Sequence, residues 1–544
     1  MVFLRKYVAV FLAILLLSYY LILSWVLHRT GYEHSESLFL AEKARLLFEV
    51  KSNTLLTLGT TFPTIPYLST VVFSLFGYPF APILASATFT TLIFFVIAQD
   101  FAKTNMQRRF FIPMLCLIFF LHPGLIYAGT TGRSVAVQLL FFFLLFRSLF
   151  IYYKTQTTFS LSMASIYLTC LIFCNFNFIW LILALVPFVL LISLEGLKQS
   201  KYGSPIVQYY ESVNNRSQRR KLTLRTVAIY IILFLLPIGT VYLFRLLNSL
   251  HAGNPTYFLT SQYANWSITG NNSLGSIFLG ENLVGRNVLS QTQIIFQGYI
   301  LLLTPLMIYV FYIFRGRLYE LLTLIAPLIF IGILLLDNQI YLTIEYYLIF
   351  LVLALIGVYT YSGKKFGVKA MYPFLMLIAL INIITGIMYF ERSSDREEKA
   401  FFGTLKSAAK WNGERAYSEE YKMATYISNL MSREITLKEK NKILMDDAAA
   451  YAIVAQLRKL GTNVILPVDF NFITVAENPM TEAKYVCVAK ESNRLKSFTV
   501  LNSYNLNKIA KHDALVTTMM FETENWAVYR LDKMDPDFIT STVQ

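Results

Sequence analysis

Charge is scarce in this chain. Asp, Glu, Lys and Arg make up 15% of its 544 residues, against 56% hydrophobic and 16% aromatic residues, and the mean hydropathy is +0.54. A soluble domain carries charge on about a quarter of its residues, so this composition excludes one and implies an integral membrane protein. Cysteine is scarcer still, at four residues. Cys116, Cys170 and Cys174 lie in apolar runs, where the i, i+4 pair Cys170/Cys174 reads as helix packing rather than a metal site. Cys487 reads as a buried strand residue, and no disulfide framework is implied. Acidic residues are the minority, 32 against 47 basic, for a net charge of +15. In a soluble chain that excess would suggest nucleic acid. Here the basic residues cluster in one set of loops, which the positive-inside rule explains, and no nucleic-acid signal accompanies them.

Apolar runs, by contrast, are plentiful. Segments of spanning length fall at about 7–27, 80–98, 110–127, 134–153, 160–176, 178–194, 226–246, 292–314, 317–336, 342–361 and 371–390, which predicts about 11 transmembrane helices. The first has the basic flank of a signal sequence, Arg5 and Lys6, but its apolar core is too long and lacks a small-residue cleavage site, so it reads as a retained span. Sidedness follows from charge. With Phe62–Gly77 lying on the membrane rather than across it, Lys103/Arg108/Arg109, Lys154, the loop from Lys198 to Arg225, Arg315/Arg317 and Lys364/Lys365/Lys369 all fall on the cytoplasmic side. Arg29–Tyr78, Pro123–Ser134, Leu247–Ser290 and Asp337–Glu345 are then the outer loops.

The expected organisation is a transmembrane domain over 1–390, a charged linker over 391–400 and a soluble extracytoplasmic α/β domain over 401–544. In that tail, strands are expected at Lys442–Met445, Asn463–Leu466, Tyr485–Ala489, Leu515–Phe521 and Trp526–Leu531, with a helix over Ala448–Lys459. Asp446-Asp447 invites a metal or catalytic reading, but Asp between a strand and a helix is an ordinary N-cap.

The chemistry candidates lie in the first outer loop. Glu33 and Glu36 sit where the chain leaves the bilayer, followed by two amphipathic segments. Such a carboxylate can accept a proton from a hydroxyl or amine nucleophile. A helix beginning here would put both on one face, where capping and solvation are the plainer roles.

The chain as a whole resembles the GT-C superfamily of polytopic glycosyltransferases, which includes aminoarabinose transferases and protein O-mannosyltransferases. Ser35-Glu36-Ser37-Leu38-Phe39-Leu40 with Lys43-Ala44-Arg45 looks like the family's acidic motif after the first span. Phe62-Pro63-Thr64-Ile65-Pro66-Tyr67-Leu68, ending Leu75-Phe76-Gly77, looks like its juxtamembrane helix entry. His122-Pro123-Gly124-Leu125-Ile126-Tyr127 falls at the family's Pro-plus-Tyr loop, and Asn254-Pro255-Thr256-Tyr257-Phe258 opens the long outer loop. One departure stands out: many members carry a second acid in the loop matching Pro123–Ser134, where this chain has Arg133 and no Asp or Glu.

The resemblance implies an inverting membrane glycosyltransferase that moves a sugar from a polyprenyl-phosphate donor to an acceptor glycan, lipid or protein, with no cofactor and no obligatory metal. A phosphate leaving group departs as a stabilised anion, so one base and one cationic clamp suffice. Glu36 would be the base with Glu33 in reserve, and Arg133, Arg286 or Lys43 would hold the phosphate, although Lys and Arg near span ends also serve as headgroup contacts. Tyr127, Tyr257 and Tyr263 would contact substrate, although the last two, with Trp266, read more simply as an aromatic belt. The missing acid leaves a second reading, a GT-C-shaped scaffold or assembly factor without chemistry. A transporter comes third, since no internal repeat is visible.

Overall fold

The computed structural model describes residues 2–50, 63–103, 111–197, 205–261, 263, 305–314, 318–336, 343–361, 368–393, 395–406, 417–436, 442–460, 463–512 and 515–533. Along the chain run α1 (Val2–Arg29), α2 (Ser35–Glu49), α3 (Thr64–Phe73), α4 (Ala81–Lys103), α5 (Phe111–Leu121), α6 (Pro123–Thr130), α7 (Val135–Thr155), α8 (Thr158–Cys174) and α9 (Ile179–Leu197). Then come α10 (Pro205–Asn214), α11 (Arg216–Ala252), α12 (Tyr257–Thr260), α13 (Pro305–Phe314), α14 (Leu318–Leu336), α15 (Ile344–Tyr361), α16 (Val368–Arg392) and α17 (Arg396–Lys406). The tail adds α18 (Ser418–Thr436), β1 (Lys442–Leu444), α19 (Asp447–Gln456), β2 (Val464–Ile465), α20 (Phe472–Glu477), β3 (Ala483–Ala489), α21 (Ser503–His512), β4 (Leu515–Glu522) and β5 (Trp526–Lys533).

The chain is a polytopic membrane protein. Among the described residues, six helical stretches are long and apolar enough to cross a bilayer: Tyr7–Arg29, Tyr78–Gln99, Val135–Thr155, Phe176–Leu194, Arg216–Ala252 and Tyr372–Glu391. A seventh is added if α5 and α6 count as one bent span. The segments expected near 160–176, 292–314, 317–336 and 342–361 form shorter apolar helices, with 292–304 outside the described residues.

The expected straight span at 110–127 is instead broken by a 64° bend between α5 and α6. Pro123 cannot donate a backbone hydrogen bond, and it holds the preceding His122 in an extended conformation (φ −72, ψ 116). The bend frees the carbonyls of Phe119 and Phe120, which would be costly in an apolar setting. Both are recovered by α1: the Tyr20 hydroxyl donates to the Phe119 carbonyl (2.8 Å) and the Tyr19 hydroxyl to that of Phe120 (3.1 Å). Gly129 makes room for this, since a Cβ there would come within 3.0 Å of the Tyr20 ring.

The chain folds into two compact units, neither continuous in sequence. Unit 1 gathers Met1–Val26, Ala85–Phe244 and Ser273–Ala408; unit 2 gathers Leu27–Leu84, Arg245–Asn272 and Ala409–Gln544. In unit 1, α7 packs against α8 and α15, α9 against α14, and α16 against α5.

Unit 2 is built on a mixed five-stranded sheet, order β2-β1-β3-β5-β4, with β1 parallel to β2 and β3, and β5 antiparallel to β3 and β4. Alternation along β3 sends Tyr485, Cys487 and Ala489 to one face and Val486 and Val488 to the other. The first face packs on Met423 and Ile427 of α18, Ala449 and Ile453 of α19, and Leu46 of α2. The second is covered by Phe472 and Val475 of α20 and Leu506 of α21. The expected strands and the helix after Met445 are therefore present, Cys487 is buried, and Asp446 caps α19 by accepting the Ala448 amide (3.1 Å).

Candidate functional site

In unit 2 the first inter-span segment differs from a surface amphipath. Every residue of α2 from Ser35 to Leu46 is buried, including Glu36, Glu42, Lys43 and Arg45. Two faces explain this: Phe39 and Leu40 pack with Tyr67 of α3 and Tyr451 of α19, while Leu46 enters the sheet core. The helix starts later than the acidic spacing suggests. His34 is the N-cap, its Nδ1 accepting the Glu36 amide (3.1 Å), so Glu36 occupies the first turn and Glu33 lies before the helix. The two acids therefore do not share a helix face. Glu33 accepts from Gln456 Nε2 (3.1 Å) and lies 3.4 Å from His28 Nδ1. Glu36, 4% exposed, sits where the helix dipole favours a carboxylate.

The paired-proline segment forms α3, 10 residues long. At about 1.5 Å per residue it falls well short of a bilayer core of about 30 Å, so it does not cross the membrane as a helix. It buries Pro66, Tyr67 and Thr70 and exposes Leu68 and Val72, with Leu75 and Phe76 exposed in the turn that follows.

The polar residues of α2 are matched by α19. Lys43 Nζ lies 2.7 Å from Asp447 Oδ2 and 3.2 Å from Glu42 Oε2, and its ammonium stands over the Phe39 ring. Arg45 donates from one terminal nitrogen to the carbonyls of Val454 (3.1 Å), Ala455 and Leu457 at the C-terminal end of α19, where the dipole favours a cation. Glu49 Oε2 accepts the Leu460 amide (2.9 Å). Lys43, expected as a phosphate cation, is thus engaged by two carboxylates inside the unit.

In unit 1, α6 and the turn after it present Tyr127 and Arg133. Gly132 makes the turn with φ +74, and Ser86 Oγ fixes it by accepting the Gly132 amide (3.2 Å) and donating to the Gly129 carbonyl (3.3 Å). Arg133 donates to the Tyr127 hydroxyl (3.2 Å), and its guanidinium lies over the Tyr127 ring. Its other terminal nitrogen is ion-paired with Glu345 in the first turn of α15. Tyr127 is fully buried between Phe390 and Phe401, an environment that makes it a holder of Arg133.

A second acid meets the start of α15. Glu398 Oε1 accepts the Ile344 amide (3.1 Å) and Oε2 accepts from Ser393 Oγ (2.6 Å). Burial, reinforced by Asp395, pushes its carboxyl up to about 7 against the opposing pull of those hydrogen bonds.

The remaining expected residues are dispersed. Tyr257 opens the short α12 and is half-buried, its amide bonded to the Asn254 carbonyl (3.1 Å). Tyr263 is half-buried, its amide bonded to Ser261 Oγ (3.1 Å). Arg286 and Trp266 lie outside the described residues. The sequence alone does not point to Glu345, Glu398 or Asp447 as partners. The one signal for Glu345 is an acid opening an apolar helix, a place where it caps the dipole or meets a cation. No group of three or more His, Cys, Asp or Glu that could hold a metal is found among the described residues. Set against family models and curated proteins, the chain matches none.

Proposed function

We propose that this chain is a membrane glycosyltransferase that moves a sugar from a polyprenyl-phosphate donor to an extracytoplasmic acceptor with inversion. The observation that carries this reading is Glu36, a carboxylate set in the first turn of a fixed helix just after the first span. A carboxylate so placed can serve as a general base towards a hydroxyl nucleophile. An acceptor hydroxyl attacks the anomeric carbon, the bond from that carbon to phosphate oxygen breaks, the polyprenyl phosphate leaves as an anion, and the hydroxyl proton passes to Glu36. Within unit 1, Arg133 is held by Tyr127 and ion-paired with Glu345. That pair also supplies an acid beside Arg133, which the Pro123–Ser134 loop lacks.

The packing of α2 with α19 inside one unit supports the sidedness of this reading. Both helices must lie on one side of the bilayer, so an even number of crossings separates them. The positive-inside rule makes that side extracytoplasmic. The exposed Leu68, Val72, Leu75 and Phe76 suit α3 and its following turn to the interface, because α4 starts a span a few residues later.

One observation favours the second reading, a catalytically inactive scaffold of the same shape: Lys43 and Arg133 are both already paired with carboxylates. The assay that separates the two follows sugar transfer in membranes from a panel of polyprenyl-phosphate sugars, with folding followed by thermal melting. Glu36→Gln is expected to lower turnover by about two orders of magnitude, the scale of general-base catalysis, with the melting curve intact. Full activity in a folded E36Q/E33Q variant would remove the assigned base. A wild type that binds and consumes no lipid-linked sugar would replace the enzyme with the scaffold.

A further inference from the structure

Glu42, Lys43, Asp447 and Tyr67 are closed off together inside unit 2, at 0, 4, 1 and 0% exposure. Fully ionised, the two carboxylates and one ammonium would leave an excess negative charge there. The site offers little to solvate it: Glu42 Oε1, Asp447 Oδ1 and the Tyr67 hydroxyl are buried without a hydrogen-bond partner, and Glu42 Oε2 has only Lys43 Nζ, at 3.2 Å. An unbalanced buried charge costs several kcal/mol even after relaxation, and a group in that position takes up a proton instead.

We propose that Glu42 carries a proton that it shares with Asp447, and that this proton closes α2 onto α19 as a pH-sensitive latch. Lys43 and Asp447 form the ion pair, at 2.7 Å, and the neutral Glu42 completes the cluster as a donor to the second carboxylate. Burial pushes the Glu42 carboxyl well above the usual range, and Asp447 pushes it further while Lys43 pulls it back. Burial alone would lower Lys43, but its acidic neighbours, Asp447 foremost, outweigh it and hold the ammonium charged. Burial pushes the Tyr67 phenol up to about 12, so α3 presents a hydroxyl and no charge. Asp446, adjacent on the α19 cap, is itself pushed up to about 6 by burial and by Asp447.

The sign follows from the raised Glu42 affinity. Its contribution is fully present below the ordinary carboxylate range and is lost as pH rises through the raised value. Above that value the cluster holds its unbalanced charge and α2 loosens from α19. The inference does not depend on the glycosyltransferase reading, since it concerns only the packing of unit 2.

The test uses the purified full-length protein in detergent, compared with Glu42→Gln, which mimics the protonated acid. Difference infrared spectra at neutral pH are expected to show a protonated-carboxyl C=O stretch in wild type that E42Q lacks. Amide exchange over Leu38–Leu46, corrected for its intrinsic pH dependence, is expected to speed up by about tenfold per pH unit between the ordinary carboxylate range and the raised Glu42 value in wild type, to level off above it, and to lose that slope in E42Q. Glu398→Gln removes the raised carboxyl of unit 1 from the spectra, and Asp446 cancels between the compared proteins. A carboxyl band unchanged by E42Q, or an exchange slope unchanged by it, would overturn the latch. If E42Q fails to fold, Asp447→Asn gives the same reading: Glu42 becomes the sole anion for Lys43 and ionises, so band and slope should vanish, and their persistence overturns the proposal.

Discussion

Replacing Lys43 by Met tests the energetics of the α2–α19 contact directly. Met keeps most of the buried stem but removes the ammonium that lies 2.7 Å from Asp447. Asp447 is then left as a buried anion with only a protonated Glu42 beside it. Breaking a buried pair from one side costs about 3–5 kcal/mol, and the contact with the Phe39 ring adds about 0.5–1 kcal/mol. Asp447→Asn should be milder. Lys43 keeps Glu42 at 3.2 Å, and Glu42 can give up its proton to become the new partner. The loss is then near that of one charged hydrogen bond, about 1.5–3 kcal/mol. The double variant K43M/D447L removes both charges and leaves Glu42 neutral, so it should lie within about 1 kcal/mol of wild type, as apolar replacements of buried pairs do. Denaturant titration of the purified protein at neutral pH, with thermal melting as a second readout, measures all three. Equal costs for K43M and D447N, or a double variant as unstable as K43M, would refute the assignment of Glu42 as the neutral member.

Two further outcomes are expected from unit 1. Glu398, raised from the ordinary carboxylate value of 4.5 to about 7, should contribute stability below the lower value that is lost as pH rises to the upper one. At about 1.4 kcal/mol per pH unit the loss is about 3 kcal/mol; Glu398→Gln should flatten melting over that window, and an unchanged pH profile would contradict it. Tyr20→Phe leaves the Phe119 carbonyl at the α5–α6 bend without its donor, and should destabilise by about 1–3 kcal/mol in the same titrations, whereas a neutral variant would mean that the bend needs no support from α1.

The sheet was legible because strands declare themselves locally: the alternation of Tyr485 to Ala489 and the apolar runs of Leu515–Phe521 and Trp526–Leu531 need no distant information. Pro123 was visible, yet hydropathy averages over a bend, so 110–127 read as one span. The acid spacing of Glu33 and Glu36 misled because His34 captures the cap and starts the helix between them. The partners of the cations were out of reach for a different reason. Arg133 meets Glu345 across 212 residues and Lys43 meets Asp447 across 404, and helical periodicity carries no information at such separations. Spacing could show that α2 bears charge but not that the charge is neutralised inside unit 2.

That last separation bears on how the chain is made. The segment carrying α2 leaves the ribosome early, whereas the residues that match its charges, Asp447, the carbonyls of Val454, Ala455 and Leu457 and the Leu460 amide, come after every span found among the described residues. Through the synthesis of all the intervening helices, Lys43, Arg45 and Glu49 must wait in water or be sheltered by another protein. A nascent chain halted after α16 would carry all the spans found among the described residues and an unfinished first loop. Quality control that recognises exposed charged helices would see such a chain as immature until α19 docks, which makes the earliest loop to emerge one of the last parts to be completed.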